Sequence, residues 1–289
     1  MNKTLAVKIL ENAYNTEKDL CHLIMIPFTG LGSAQGFRGD EWFAKRIKIF
    51  KENTLKSLLA QDNPFFTIWI CFREEEAQNP LTMALWEEMK NLGLRVIFTF
   101  GGIMIWDDKY PDEVEAGRLL QRFKDTLPEL KRIVGNAKYV YETILASDDM
   151  YAKDVVSNIH RQEYKERRAL VHWHGYVRNI ETGQIGEWLP GHDHLPPFYT
   201  IMYPADTFLD PQKHFDYLKG YKSHEHIEGL FENVVMPDGK YMVNTHGNNI
   251  STSWMWHRDT EQVHPLIGKE FTEEKEKKNI LKQFGLCVK

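Results

Sequence analysis

Apolar residues in the first half of the chain form short continuous runs separated by helical patterns. The runs that predict buried strands are residues 23–28 (LIMIPF), 65–72 (FFTIWICF), 94–100 (LRVIFTF) and a fourth that begins at Tyr141 (YETIL). Continuous apolar runs of about four to eight residues are typical of strands that are covered on both faces. We therefore expect a central, largely buried sheet.

Helical spacing fills the intervals between these runs. Apolar residues recur every three or four positions through residues 42–61 (WFAKRIKIFKENTLKSLLAQ), so one face of a long helix is apolar. A second helix begins with Asn79 as its N-cap and Pro80 in its first turn, and it ends at Gly93. A third covers residues 112–130. Strands that alternate with helices predict an α/β fold with a doubly wound, mostly parallel sheet flanked by helices.

The second half of the chain is less regular. Residues 172–188 indicate a hairpin that turns at residues 181–183, and residues 196–203 (PPFYTIMY) indicate a strand or an edge segment. Residues 272–284 predict a charged terminal helix with a few apolar positions that dock it. We expect one domain across residues 1–289.

Charge and composition narrow the function classes. The chain has 289 residues, a net charge of -5 and 42% hydrophobic residues, which is typical of a folded globular protein. A negatively charged protein does not attract polyanions, so nucleic acid is not an expected partner. We interpret the basic cluster at Arg161, Lys165, Arg167 and Arg168 as a solvated helix face.

Cysteine usage and the N-terminus bear on location. The three cysteines have no paired spacing, so neither a disulfide framework nor a cysteine zinc site is indicated. The first twenty residues carry scattered charges instead of a signal peptide's apolar core, and no run approaches the roughly 18 apolar residues of a spanning helix. We expect a cytoplasmic protein with no transmembrane segment.

Two adjacent acids, Asp148 and Asp149, follow the fourth predicted strand. Ligands of open α/β sheets bind beyond the carboxyl ends of the strands, and a divalent cation such as Mg²⁺ or Mn²⁺ makes two neighbouring carboxylates tolerable. The alternative is a helix start, in which Ser147 and Asp148 cap the next helix and Asp149 lies in its first turn. The residues by themselves leave both interpretations open.

The order of these features resembles the nucleotide-sugar glycosyltransferases of the GT-A fold. A helix carrying Arg46, Phe50 and the sequence TLKSLLAQ, a following strand, the acidic SDDM, a late HGNNIS and a terminal ILKQFG are similar to the rhamnosyltransferase family. The resemblance implies a metal-dependent enzyme, inverting the anomeric configuration, that moves a sugar such as rhamnose from a nucleotide-diphosphate donor to a saccharide acceptor in polysaccharide biosynthesis. It also implies a nucleotide-sugar-binding half (20–150), an acceptor-side half (151–265) and a helical tail (266–289).

The resemblance implies roles for individual residues. The metal, Mn²⁺ or Mg²⁺, would be held by Asp149, Asp148 and His246. The base that takes the proton of the acceptor hydroxyl would be Glu225 or Asp193. The residues implied for the donor nucleotide are Pro27, Phe28, Thr29, Arg38, Arg46, Arg73, Ser147 and Asp148.

Two departures from the family pattern affect these roles. Ser147 stands at the first acidic position of the DxD-type motif. The second strand ends in CFREEE, where relatives carry an acidic residue that recognises the nucleobase of the donor. Residues 74–76 offer an acidic residue close to that position. A noncatalytic carbohydrate-binding or assembly protein on the same fold is therefore kept as an alternative.

Histidines and aromatic residues are concentrated in the second half. Three HxH pairs, at residues 172/174, 192/194 and 224/226, suggest a zinc hydrolase as a further alternative, because alternate residues of a strand point to one side. The competing interpretation is hydrogen-bonded packing. Aromatic rings also stack on sugars, although core packing is their usual role; those in question are Trp173, Trp188, Phe198, Tyr199, Tyr203, Trp254 and Trp256.

Overall fold

The computed structural model describes residues 7–9, 19–29, 39–100, 112–189, 197–221, 224–247, 249 and 266–286. Within this part of the chain the strands form two sheets. The strands of the eight-stranded sheet are β1 (Val7–Ile9), β2 (Leu20–Pro27), β3 (Thr67–Phe72), β4 (Val96–Phe100), β5 (Tyr139–Ile144), β7 (Arg168–Val171), β10 (Tyr199–Pro204) and β11 (Glu232–Val235). Those of the five-stranded sheet are β6 (Met150–Tyr151), β8 (Gly175–Asn179), β9 (Ile185–Leu189), β12 (Tyr241–Thr245) and β13 (Leu266–Phe271).

The larger sheet has the order β1-β4-β3-β2-β5-β10-β7-β11. Its four central strands, β4, β3, β2 and β5, are parallel, and the predicted α/β architecture is confirmed. β1 and β10 join antiparallel, at β4 and β5 respectively. The sequence pattern does not predict β1.

Helices cover both faces of this sheet. They are α1 (Asp40–Glu52), α2 (Thr54–Leu59), α3 (Pro80–Lys90), α4 (Asp112–Val134), α5 (Val155–His160), α6 (Ala205–Phe208), α7 (Pro211–Tyr217), α8 (Ile227–Leu230) and α9 (Glu274–Gln283). Successive residues of β2 point to opposite faces: Ile24 packs in the core that contains Phe43 of α1, and Leu23 packs in the core that contains Phe123 of α4. No helix of the described residues is both long enough and apolar enough to cross a bilayer.

The predicted helix over residues 42–61 is divided in two. α1 ends at Asn53, whose backbone leaves the helical region (φ -124°, ψ -77°) and whose Nδ2 donates to the Ile49 carbonyl at 3.0 Å. The predicted start of α3 is confirmed, because Asn79 Oδ1 accepts the Leu81 N–H at 2.8 Å and Pro80 is the first helical residue.

The second half is more regular than its sequence indicated. The predicted hairpin is formed by β8 and β9, with Gly183 at φ 76° in its turn, and the predicted terminal helix is α9. Val177 of β8 and Tyr241 of β12 share one core with Ile24 of β2, so the smaller sheet packs onto the same interior as the larger one.

The interpretation of the basic cluster as a helix face is wrong. α5 ends at His160, and Arg168 is already the first residue of β7. Arg167 adopts φ 55°, and its guanidinium donates to the carbonyls of Tyr217 (3.2 Å) and Leu230 (2.8 Å). Arg167 therefore joins α7 and α8 to the start of a strand.

Candidate functional site

The acidic pair lies where the strand order of the larger sheet reverses. From β2 the chain adds β3 and β4 on one side and then places β5 on the other side of β2. Beyond the strands, the Leu145 N–H donates to the Met25 carbonyl (3.0 Å), and Ser147 Oγ donates to the Phe28 carbonyl (3.4 Å). Ligands of open α/β sheets bind at the carboxyl edge at such a reversal. The turn that carries the acids is thus held at the expected ligand-binding edge.

Asp148 is the centre of this turn. Its Oδ2 forms an ion pair with Arg46 of α1, is 3.2 Å from His246 Nε2, and accepts a hydrogen bond from Asn249 Nδ2 at 3.0 Å. The Arg46 side chain is 3% exposed and that of Asp148 is 10% exposed, so the ion pair is shielded from water. Three separated segments of the chain therefore meet at one carboxylate oxygen.

Asp149 is held from the neighbouring strand β12. Its Oδ1 accepts the backbone N–H of Asn244 at 2.9 Å, and the side-chain amide of Asn244 donates to the Asp148 carbonyl at 2.6 Å. Asn249 also donates to the Asn244 carbonyl at 3.1 Å. Asn244 and Asn249 thus hold the acidic turn through their amide groups.

The two carboxyl groups have opposite pKa shifts. Burial disfavours the charge of Asp148, but Arg46 and His246 outweigh that cost and hold the pKa of Asp148 below its usual value. Burial, and then the neighbouring charge of Asp148, raise the pKa of Asp149 well above its usual value, and the Asn244 N–H offsets only part of this. The shifts have opposite directions because Arg46 and His246 favour the charge of Asp148, whereas the charge of Asp148 disfavours that of Asp149.

The contacts at Asp148 Oδ2 are those of an internal ion pair, and they do not assemble the predicted metal shell of Asp148, Asp149 and His246. A carboxylate oxygen has about two lone pairs, and Asp148 Oδ2 already faces three nitrogen atoms. Among the residues that the structure describes, no group of three or more His, Cys, Asp or Glu side chains is arranged to hold a metal ion. Arg46 supplies a positive charge beside Asp148, where the sequence interpretation placed a divalent ion.

A second buried acid, Glu76, lies just beyond β3. Its Oε2 accepts the hydroxyl of Thr29, which follows β2, and the backbone N–H of Arg73 at 3.0 Å. Burial raises the pKa of Glu76 to about 7, although the bonds from Thr29 and Arg73 lower it in part. Glu76 therefore links the carboxyl ends of β2 and β3. The Thr29 hydroxyl and the Arg73 N–H, from two residues predicted to bind the donor, are hydrogen-bonded to Glu76.

Pro27 and Phe28, predicted to contact the donor, lie at the end of β2. Phe28 is 2% exposed and its ring packs against those of Phe43, Phe50 and Phe72, with centroids 5.1 to 5.9 Å apart. The side chain of Phe28 therefore belongs to the core, and its backbone carbonyl is what reaches the acidic turn.

Glu225 is an exposed residue of a short 3₁₀ turn between α7 and α8. The chain enters this region after Pro204, which pairs with the first residue of β5, and leaves it at Glu232, which pairs with the first residue of β7. Both ends lie at the amino edge of these strands, opposite the acidic turn. This placement does not support Glu225 as a base beside Asp148. Asp193 and Arg38 lie outside the described residues.

The described histidine pairs do not converge. His172 is buried and its ring lies 5.7 Å from that of Tyr151, while His174 contacts Asp238 at 3.1 Å. His224 and His226 lie in the 3₁₀ turn, and the pair at 192/194 is outside the described residues.

The aromatic residues named above are mostly core residues. Trp188, Phe198, Tyr199 and Tyr203 are each 4% exposed or less, Trp173 is half-buried, and Trp254 and Trp256 lie outside the described residues. Among the described members, packing rather than an acceptor groove accounts for the four buried rings.

Sequence reasoning missed Asn244 and Asn249 as site residues. Both lie in NTHGNN, from which only His246 was selected. Their role depends on bonds to a turn about 100 positions earlier in the chain. The available signal was the density of side-chain amides directly after a buried strand.

Comparisons with known proteins give fold-level similarities only. No family model matches the chain, and no curated protein does. Residues 1–349 of TarS from S. aureus, in complex with UDP, match at 11% identity and a TM-score of 0.41, covering 79% of this chain and 61% of that one. Mouse xyloside xylosyltransferase 1, apo form, matches at 13% identity and a TM-score of 0.38, covering 80% and 99%. The chain thus spans less than two thirds of the TarS structure.

Proposed function

We propose that this protein transfers a sugar from a nucleotide-diphosphate donor to a hydroxyl acceptor. One observation carries the proposal: the separated motifs behind the glycosyltransferase resemblance meet at Asp148. Arg46 comes from the helix motif, Asp148 from SDDM, and His246 and Asn249 from HGNNIS. Short motifs that are unrelated have no reason to share one buried carboxylate.

A further contact supports the same grouping. Gln61, the last residue of TLKSLLAQ, donates from Nε2 to the Ala152 carbonyl (2.9 Å) and accepts the Val156 N–H at Oε1 (3.1 Å). The end of the helix motif is therefore fastened to the segment that follows the acidic turn. The site combines these contacts with the strand-order reversal, which favours a nucleotide-sized ligand.

In the transfer, an acceptor oxygen bonds to the anomeric carbon, the bond from that carbon to the diphosphate breaks, and the acceptor proton passes to a base. Arg46 fixes the Asp148 carboxylate through Oδ2, so its other oxygen, Oδ1, is suited to accept a hydroxyl hydrogen bond from the donor. The base is not assigned among the described residues. Rhamnose as the sugar, a saccharide acceptor, inversion and a role in polysaccharide synthesis are further parts of the proposal that rest on the sequence resemblance.

A divalent cation is not used in any step above, because no group of three metal-ligating side chains is assembled among the described residues. The metal requirement is decided by measuring nucleotide binding in EDTA and in Mn²⁺. Stronger binding in Mn²⁺ would support the metal dependence that the sequence resemblance implies.

Calorimetry with UDP, GDP and dTDP tests the proposal. We expect at least one nucleoside diphosphate to bind, its sugar conjugate to compete with it, and Asp148→Asn to weaken binding at least tenfold, about the effect of losing a charged hydrogen bond. Glu142→Gln is the matched control, since Glu142 is a buried acid of β5 whose Oε2 bonds to Tyr203 rather than to the turn. Absence of binding to all three nucleotides in both media contradicts the proposal and favours the noncatalytic alternative.

A further inference from the structure

Arg178 of β8 lies one strand away from the acidic turn. β8 and β12 are parallel with Arg178 aligned to Asn244, the residue that contacts both aspartates. Aligned residues of neighbouring strands are about 5 Å apart and their side chains share a face of the sheet. Arg178 Nη1 donates to Asn53 Oδ1 (3.1 Å), at the end of the helix that carries Arg46. The guanidinium therefore reaches the C-terminal end of α1 from the strand next to β12.

The charge of Arg178 has no acidic partner in the part of the chain that the structure describes. Its one hydrogen-bond partner there is the neutral Asn53, and burial lowers the pKa of Arg178 without any opposing carboxylate. Its Nε is buried without a hydrogen-bond partner, as are Asn244 Oδ1 and Thr54 Oγ1. A partly buried cation without a counter-ion is costly, and buried polar atoms without partners are uncommon in folded proteins.

We propose that Arg178 binds an anionic group of the ligand, namely a phosphate of a nucleoside diphosphate. This inference rests on the proposed function. Arg46 is already neutralised by Asp148, whereas Arg178 has no acidic partner among the described residues and so offers positive charge to a ligand. The planar fork of a guanidinium matches two oxygens of a phosphate, which gives both affinity and orientation.

Arg178→Gln tests the assignment, with Arg95→Gln as the matched control. Arg95 is also half-buried, but it precedes β4 at the amino edge, where its Nε donates to the Phe66 carbonyl at 2.9 Å. Calorimetry with inorganic pyrophosphate, UDP, GDP and dTDP should show at least a tenfold loss of affinity in Arg178→Gln and no loss in Arg95→Gln. Arg178→Lys, which keeps the charge but not the fork, should lie in between.

Thermal unfolding without ligand separates binding from a structural role. Since Arg178→Gln removes an uncompensated charge, its melting temperature should equal or exceed that of the wild type. A lower melting temperature together with unchanged affinity would mean that Arg178 is structural and would overturn the assignment. If the wild type binds a nucleotide and the variant binds it equally well, the inference fails and the proposed function stands. If the wild type binds pyrophosphate but no nucleotide, and Arg178→Gln loses pyrophosphate binding, Arg178 is an anion site and its assignment to a nucleotide phosphate is contradicted. No binding of any probe overturns both.

Discussion

Arg46 on α1 and Asp148 on the acidic turn form a buried ion pair that connects a helix on one face of the sheet to the carboxyl edge of β5. Each side chain is at most 10% exposed. Neither charge is therefore stabilised by bulk water. The pair replaces solvent as the partner of both charges and fixes the orientation of the carboxylate.

Arg46→Met should destabilise the protein by about 3–5 kcal/mol, because it leaves a buried carboxylate without its cation. Urea unfolding measures the change in free energy. Lys45→Met is the control: Lys45 is 62% exposed in an ion pair with Glu41, and its loss should cost less than about 1 kcal/mol. The double variant Arg46→Met with Asp148→Asn should recover much of the loss, and equal destabilisation in the single and double variants would contradict the pairing.

Glu142 should make stability fall as pH rises. Burial raises the pKa of Glu142 to about 7, whereas the unfolded chain has the ordinary value of 4.5. The folded state therefore binds the extra proton, so the contribution is fully present below pH 4.5 and is lost as pH rises through 7. Relative to the wild type, Glu142→Gln should gain about 2–3 kcal/mol between pH 5 and pH 8 in urea unfolding. A constant difference across that range would show that Glu142 ionises normally.

His22 should be a single neutral tautomer. Asn63 Nδ2 donates to His160 Nδ1 (3.1 Å), so His160 Nε2–H donates to His22 Nδ1 (2.9 Å), and His22 Nε2–H donates to Thr143 (2.8 Å). Burial, and then His160, hold the pKa of His22 well below its usual value. Nitrogen NMR shifts at pH 7 should show His22 protonated at Nε2 only.

The buried, neutral His22 should also make the free energy of unfolding depend on pH, with a sign opposite to that of Glu142. A histidine with a depressed folded pKa contributes stability above about pH 6.5 that is lost as pH falls, because only the unfolded chain takes up the proton. A His22 signal that titrates near pH 6.5, or the Nδ1–H tautomer, would be incompatible with the hydrogen-bond order.

Gly285→Ala should disrupt the attachment of the terminal helix α9. Gly285 has φ 74°, and an added Cβ would overlap Ala60 Cβ and lie 3.0 Å from the Lys56 carbonyl oxygen. We expect a loss of about 1–3 kcal/mol in urea unfolding. Gly117→Ala is the opposite case, because Gly117 is exposed within α4 with no atom within 4 Å, and alanine should add up to about 1 kcal/mol. Equal effects at both positions would contradict this packing.

Local patterns predicted the local elements, and they did not reveal the long-range pairings. The run LIMIPF and the Asn79–Pro80 cap carry their own structural signal, so β2 and the start of α3 were predictable. The choice of Arg46 as the partner of Asp148 depends on tertiary packing, which periodicity does not encode. For the same reason the position of the acids at a strand end was predicted, while their compensation by an internal guanidinium was not.

A crystal structure with the tightest-binding nucleoside diphosphate examines the proposed site as a whole. The proposed function predicts the diphosphate at the carboxyl edge between β2 and β5, beside the turn of Asp148 and Asp149. A nucleotide bound elsewhere, with no part of it in contact with this turn, would contradict it.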